Sequence, residues 1–219
     1  MGLKKLLFSC VLLSFFSLPA GAQAHYWQQA VEYDMDIDFD VETHRFNGNQ
    51  TIRYTNNSPD TLYRVFYHLY FNAFQPNSMM DVRSRTIRDA DPRVSDRISK
   101  LKKDEIGFLQ VNALVQDGAK ANYKEEGTIL EVELAEPILP GATTELAMQF
   151  NGQVPLQIRR SGRDNREGIS YSMSQWYPKL SEYDHQGWHA NPYIGREFHG
   201  VWGDFKVSIT IDKDYLVGG

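Results

Sequence analysis

From residue 32 the chain alternates apolar and polar positions almost without error, with Tyr33, Met35, Ile37, Phe39 and Val41 on one face and Asp34, Asp36, Asp38, Asp40 and Glu42 on the other. A period of two sends successive side chains to opposite faces, so this segment is predicted to be a strand with one buried and one solvated face. Phe46-Asn47-Gly48-Asn49 reads as a turn, residues 51–56 as the return strand, and Asn57-Ser58-Pro59-Asp60 as a second turn. Residues 61–71 form a third strand signal, apolar on both faces as in a strand covered on two sides. Residues 81–105 break the pattern with charges such as Arg83, Arg85, Lys102 and Lys103, and read as an exposed insertion with a short helix from Ser95. Strand signals resume at 108–115, 121–124, 128–134, 143–150, 169–173 and 205–211, separated by Asp117-Gly118, Glu126-Gly127 and Pro140-Gly141. Nine short strands with this spacing predict an all-β fold, an antiparallel sandwich or an open barrel.

The first 24 residues follow a different logic. Lys4 and Lys5 precede an apolar run over residues 6–18, and small residues surround Ala20, Ala22 and Ala24. This is the layout of a secretory signal peptide, cleaved after Ala22 or Ala24. The run is too short to span a bilayer, so no transmembrane helix is expected, and the protein is expected to be periplasmic or secreted. Cys10, the single cysteine, lies in that run and leaves the mature chain with neither a disulfide nor a thiolate ligand. Removing two lysines and no acid takes the net charge from -5 to -7. A mildly acidic domain offers no basic field for nucleic acid.

Candidate chemistry is sparse. Asp34, Asp36 and Asp38 imitate the start of a calcium loop, but Phe39 stands where that loop needs glycine, and a solvated strand face accounts for them. Arg159, Arg160, Arg163 and Arg166 are relieved by Asp164 and Glu167 and read as a solvated loop. His185 and His189 stand four apart, but Gly187 between them and Pro192 beyond them argue against a helix, so they are set aside as loop histidines rather than metal ligands. No Gly-x-Ser-x-Gly or phosphate-cradling glycine loop is present.

Between residues 169 and 204 the text turns aromatic and polar. It contains Gln175-Trp176-Tyr177-Pro178, Tyr183-Asp184, Gly187-Trp188-His189, Pro192-Tyr193, Glu197-Phe198 and Gly203-Asp204-Phe205-Lys206-Val207. This run resembles the end of the amino-terminal domain of the M1 family of zinc aminopeptidases, and most of all its exported bacterial branch. Phe46-Asn47-Gly48, Ile52-Arg53-Tyr54-Thr55-Asn56-Asn57-Ser58 and Tyr67-His68-Leu69-Tyr70-Phe71-Asn72-Ala73-Phe74 resemble earlier parts of the same domain.

The resemblance implies a saddle-like sheet domain over residues 25–219, incomplete at its C-terminal end, that covers one side of an active-site cleft. M1 enzymes hold zinc with a His-Glu-x-x-His helix and a further glutamate, and hold peptide backbone with a Gly-x-Met-Glu-Asn strand; neither motif occurs in this chain. No catalytic residue and no cofactor is therefore expected here, and zinc is expected only in a complete enzyme whose catalytic domain lies downstream in the same polypeptide. The expected ligand is a peptide. By the same resemblance, Gln175 would receive the substrate's free α-amino group. The position two residues on, a glutamate or glutamine in the family, is Tyr177, and a phenol accepts a hydrogen bond but adds no charge. Two alternatives stand beside this reading. Trp176 and Tyr177 could be buried interface aromatics with Gln175 satisfying loop backbone, or the aromatic loop 171–202 could serve a secreted, non-catalytic binding module through Trp176, Tyr177, Trp188, Tyr193 and Trp202.

Overall fold

The opening alternation becomes an 11-residue strand, β1 (Ala30–Asp40), buried at every second position from Val31 to Ile37. The structure is a computed structural model describing residues 26–87, 94–196 and 198–219; residues 1–25, which include the expected signal peptide, residues 88–93 and Glu197 lie outside the described residues. Thirteen further strands follow: β2 (Arg45–Thr55), β3 (Leu62–His68), β4 (Phe108–Gln116), β5 (Ala119–Lys120), β6 (Asn122–Glu126), β7 (Ile129–Ile138), β8 (Thr143–Gln153), β9 (Gly162–Arg163), β10 (Tyr171–Ser172), β11 (Lys179–Leu180), β12 (Tyr183–Asp184), β13 (Gly187–Trp188) and β14 (Gly203–Thr210). With 45% of the described residues in strands and 8% in helices, the fold is all-β. Among the described residues no helix is long and apolar enough to cross a membrane.

Two sheets enclose one core. The larger runs in the order β14-β1-β2-β8-β4-β5 and the smaller in the order β11-β3-β7-β6. Tyr33, Met35, Ile52, Leu114, Met148 and Phe150 of the first pack in one cluster with Val65, Tyr67, Leu130 and Val132 of the second. Every ladder between strands is antiparallel except β1–β14, where Tyr33 lies beside Phe205, Met35 beside Val207 and Ile37 beside Ile209. That register carries the core-facing row of β1 onto an edge strand, and Phe205, Val207 and Ile209 remain partly exposed there.

The first turn lies earlier than predicted. Residues 41–44 connect β1 to β2, while Phe46, Gly48 and Gln50 continue the alternation inside β2. Asp40 organises the turn: its carboxylate accepts from the Glu42 amide at 2.9 Å, the Thr43 amide at 3.3 Å and the Thr43 hydroxyl at 2.6 Å. Gly48 is a packing residue, because a Cβ there would stand 2.4 Å from Cζ of Phe150 and 2.9 Å from Cδ1 of Ile37. The third strand is shorter than its signal. It ends at His68, and Tyr70–Ala73 closes into a 3-10 turn; Tyr63 and Arg64 face solvent, so the strand is not covered on both sides.

The Thr43 hydroxyl, followed by the Glu42 and Thr43 amides, holds the Asp40 carboxyl below its ordinary 3.8. A depressed carboxylate adds stability above the unfolded value and loses it as the pH falls through the folded one. Below about pH 4 the melting temperature of the wild-type protein is expected to fall more steeply than that of Asp40→Asn. Parallel melting curves across that window would show that the turn contributes no pH-linked stability.

The described parts of the charged segment, residues 81–87 and 94–105, are also tied down more firmly than their composition suggests. Helix α1 (Met79–Thr86) starts at Ser78, whose Oγ accepts from the Asp81 amide. Asp81 is itself buried, accepts from the Asn77 amide at 2.8 Å and meets Arg85 at 3.1 Å. No α-helix forms from Ser95; a single 3-10 turn, Ile98–Lys100, follows, and Val94 and Ile98 are fully buried. Arg163 departs from the expected solvated loop too: it is 8% exposed, donates to the Asp104 carbonyl at 3.0 Å and pairs with Asp164.

Candidate functional site

Two polar residues at core positions of the large sheet hold the segment that carries Gln175. Gln50 Nε2 donates to the Pro178 carbonyl at 3.0 Å, and the Tyr33 hydroxyl accepts from the Leu180 amide at 3.0 Å. Burial, with Tyr177 nearby, pushes the Tyr33 phenol well above its ordinary range, so it stays neutral in this role. One turn earlier, the Ser161 hydroxyl accepts from the Ser174 amide at 2.6 Å and donates to the Ser174 carbonyl. Gln175 is thus fixed at both ends.

Its own backbone is left-handed, with φ 56, a region that a glutamine enters only when its surroundings impose it. Its Oε1 is buried and has no hydrogen-bond partner among the described residues. An orphaned buried acceptor costs about 1–3 kcal/mol. The reading in which this side chain satisfies loop backbone through that oxygen therefore fails.

The neighbouring rings pack inward. Trp176 meets Phe46 edge-on at 5.6 Å and Tyr177 at 5.5 Å. Tyr177 lies edge-on to Tyr33 at 5.6 Å and to Phe205 at 5.9 Å, and burial raises its phenol to about 12. Of the five rings that could have formed a binding surface, Trp202 is exposed at 84%, Tyr193 is buried, and Trp176, Tyr177 and Trp188 are half-buried. Only Trp202 of the five is fully open to solvent, and Tyr193 is withdrawn from any surface that the binding-module reading would use.

A second group lies on the other side of the aromatic loop, and the sequence reading missed it. The β12–β13 hairpin turns through His185 and Gln186. It docks through Trp188 on Phe66 at 5.7 Å and through the Tyr183 hydroxyl, which donates to Asp60 at 2.9 Å. Asp184 Oδ1 accepts from the Gln186 amide at 2.7 Å, leaving Oδ2 2.8 Å from Nε2 of His189. His199 arrives beside them because Phe198 packs on Tyr70 at 4.7 Å and on Tyr193 at 5.2 Å. The His189 and His199 rings then stand 4.6 Å apart. Among the described residues, Asp184, His189 and His199 form a metal-capable group whose ligand atoms all lie within 4.8 Å of one another. His185, the other member of the spaced pair, is exposed in the turn and outside this group.

Behind the group, a cavity of about 350 Å³ is walled by His68, Tyr70, His189, Tyr193 and His199. His68 is 4% exposed, and neither ring nitrogen finds a partner of good hydrogen-bond geometry. Burial lowers its pKa to about 4, so the ring is neutral. Burial pushes Asp184 up, but the Gln186 amide and His189 outweigh it and hold the carboxyl below its ordinary value.

No protein-family model matches this chain, and no curated protein matches it. Among solved structures it is similar to an M1 zinc metallopeptidase from Deinococcus radiodurans, with 19% identity over 69% of this chain and 28% of that one at a TM-score of 0.43. It is also similar to a mutant of an M1 zinc metallopeptidase from that organism bound to a Tyr-Ser-Ala substrate, with 17% identity over 83% of this chain and 32% of that one at a TM-score of 0.45. The chain spans 26% to 32% of the length of these structures and of a further one at 20% identity and a TM-score of 0.41.

Proposed function

We propose that this chain is the β domain of an exported, M1-like zinc aminopeptidase, with a signal peptide over residues 1–24 and a periplasmic or secreted destination. In this reading Gln175 receives the free α-amino group of a peptide. The observation that carries it is Gln175 itself: a left-handed backbone and a buried, partnerless Oε1 at the residue singled out by the resemblance. An ammonium entering a partly dry cleft needs acceptor oxygens, and a position that only a free amine satisfies restricts cleavage to the chain end. Strain held beside an unused acceptor is how a preorganised binding group looks before its ligand arrives.

Tyr177 is packed on three sides by Tyr33, Trp176 and Phe205. Its first role is to hold the loop, and its hydroxyl is an uncharged stand-in for the family's carboxylate. The partly exposed row Phe205, Val207 and Ile209 supports a further layer over this sheet in a longer polypeptide. The family's zinc motif is not written in this chain, so peptide hydrolysis falls to a downstream catalytic domain, and the residues here bind and orient.

In the complete enzyme, Gln175→Ala should lower kcat/KM for free-amine peptides by about 1.5–3 kcal/mol, the range for a hydrogen bond to a charged group. N-acetylated substrates never make the contact and should be unaffected. Tyr177→Phe keeps the ring and separates packing from hydrogen bonding. Equal losses on both substrate types, or a melting temperature that falls with activity, would make this loop structural.

A further inference from the structure

We propose that Asp184, His189 and His199 form a divalent-cation site selective for zinc, with its fourth position facing the cavity walled by His68. The donor set is one carboxylate oxygen and two imidazole nitrogens, the combination that zinc accepts in tetrahedral sites with an open position. The proposal stands independently of the amine-binding reading, since the hairpin and loop that build it share no residue with Gln175 and Tyr177.

Three observations converge on it. Oδ2 of Asp184 and Nε2 of His189 stand 2.8 Å apart, so a carboxylate oxygen and an imidazole nitrogen are already side by side. All three ligand atoms lie within 4.8 Å of one another, and tetrahedral zinc with bonds near 2.1 Å spaces its ligands by about 3.3 Å, so closure needs only a small movement of the exposed His199. Finally, His68 lines the same cavity, nearly fully buried beside the His189 backbone, and among the described residues neither nitrogen makes a hydrogen bond of good geometry. A buried imidazole without a partner is destabilising; a cation or its bound water in the cavity gives it one.

The surrounding charge is mixed. Lys179, paired with His68 across β11 and β3, and Arg196 on the cavity wall oppose a cation, while Glu182 lies beside Lys179 and Asp184 and favours one. Two carboxylates against two cations leave the choice to the geometry of the three ligands. The bound ion would lock the β12–β13 hairpin to the segment carrying His199 and so order the far half of the aromatic loop.

The test is calorimetric titration of the metal-free full chain with zinc sulfate, with cobalt(II) absorption as a readout of tetrahedral geometry. One zinc per chain and a tetrahedral cobalt spectrum are expected. His199→Ala and Asp184→Asn should each weaken binding by about 100-fold or more, while the exposed His185→Ala leaves it unchanged. His199 is exposed, so its replacement should leave the metal-free melting temperature in place and keep the test independent of folding. Absent saturable binding, affinity unchanged in His199→Ala, or a loss with His185→Ala as large as with His199→Ala would overturn the site.

Discussion

Replacing Phe46 by alanine should cost about 3–5 kcal/mol of stability, the usual range for removing a buried phenylalanine ring. Phe46 is 1% exposed and lies among four other rings, with centroids 6.0 Å from Phe39, 6.4 Å from Phe71, 6.2 Å from Phe150 and 5.6 Å from Trp176. The loss should appear as a lower urea midpoint with an unchanged slope. Phe46 also occupies the space beside its ladder partner Gly152, where a Cβ would lie 2.4 Å from Phe46 Cζ. Gly152→Ala alone should therefore destabilise by about 1–3 kcal/mol through overpacking, and most of that penalty should vanish in the Phe46→Ala background. Two losses that simply add would show that the glycine answers to something other than this ring. Phe46→Ala also removes one of the two ring partners of Trp176, the residue after Gln175, so a loosened loop should accompany the loss of stability.

Asn56→Ala should be the second costly change, at about 2–4 kcal/mol, because a single fully buried amide joins the bend at 58–60, the end of β7 and the segment before β1. Its Nδ2 donates to the Asp60 carbonyl at 2.7 Å and the Ile138 carbonyl at 3.1 Å. Its Oδ1 accepts from the Ser58 hydroxyl at 2.6 Å, the Ser58 amide at 3.1 Å and Gln29 at 3.3 Å. Alanine strands those donors and acceptors out of reach of water. Asn56→Asp should be at least as harmful at neutral pH, since it turns a carboxylate toward two carbonyl oxygens. Ser58→Ala, which removes one donor, should cost only about 1 kcal/mol. Thermal melts of the three variants check the order; an Asn56→Ala loss no larger than that of Ser58→Ala would mean that these segments stand without their common amide.

The features that the sequence by itself determined are those in which a local pattern meets a local rule. The alternation of β1 follows from a period of two and a row of aspartates that must face water. The Asp117-Gly118 hairpin turn follows from two residues that accept left-handed backbone, here φ 49 and φ 82. Gln175 and Tyr177 stand out only through the family resemblance, and their spacing alone carries no chemistry. Tertiary structure decided whatever depends on a distant partner. Gly48 looks like a turn residue until the Phe150 ring from β8 lies over it. The arginine run looks solvated until the Asp104 carbonyl, far off in the chain, meets Arg163. The parallel seating of β14 beside β1 crosses most of the domain, and no local signal encodes it. His189 shares a four-residue spacing with His185, yet its neighbours in space are Asp184 and His199. A hairpin turn sends His185 outward, and the packing of Phe198 on Tyr70 and Tyr193 brings His199 in. Side chains on irregular loops take their positions from the rings that anchor the loop, and those anchors lie far away in the chain.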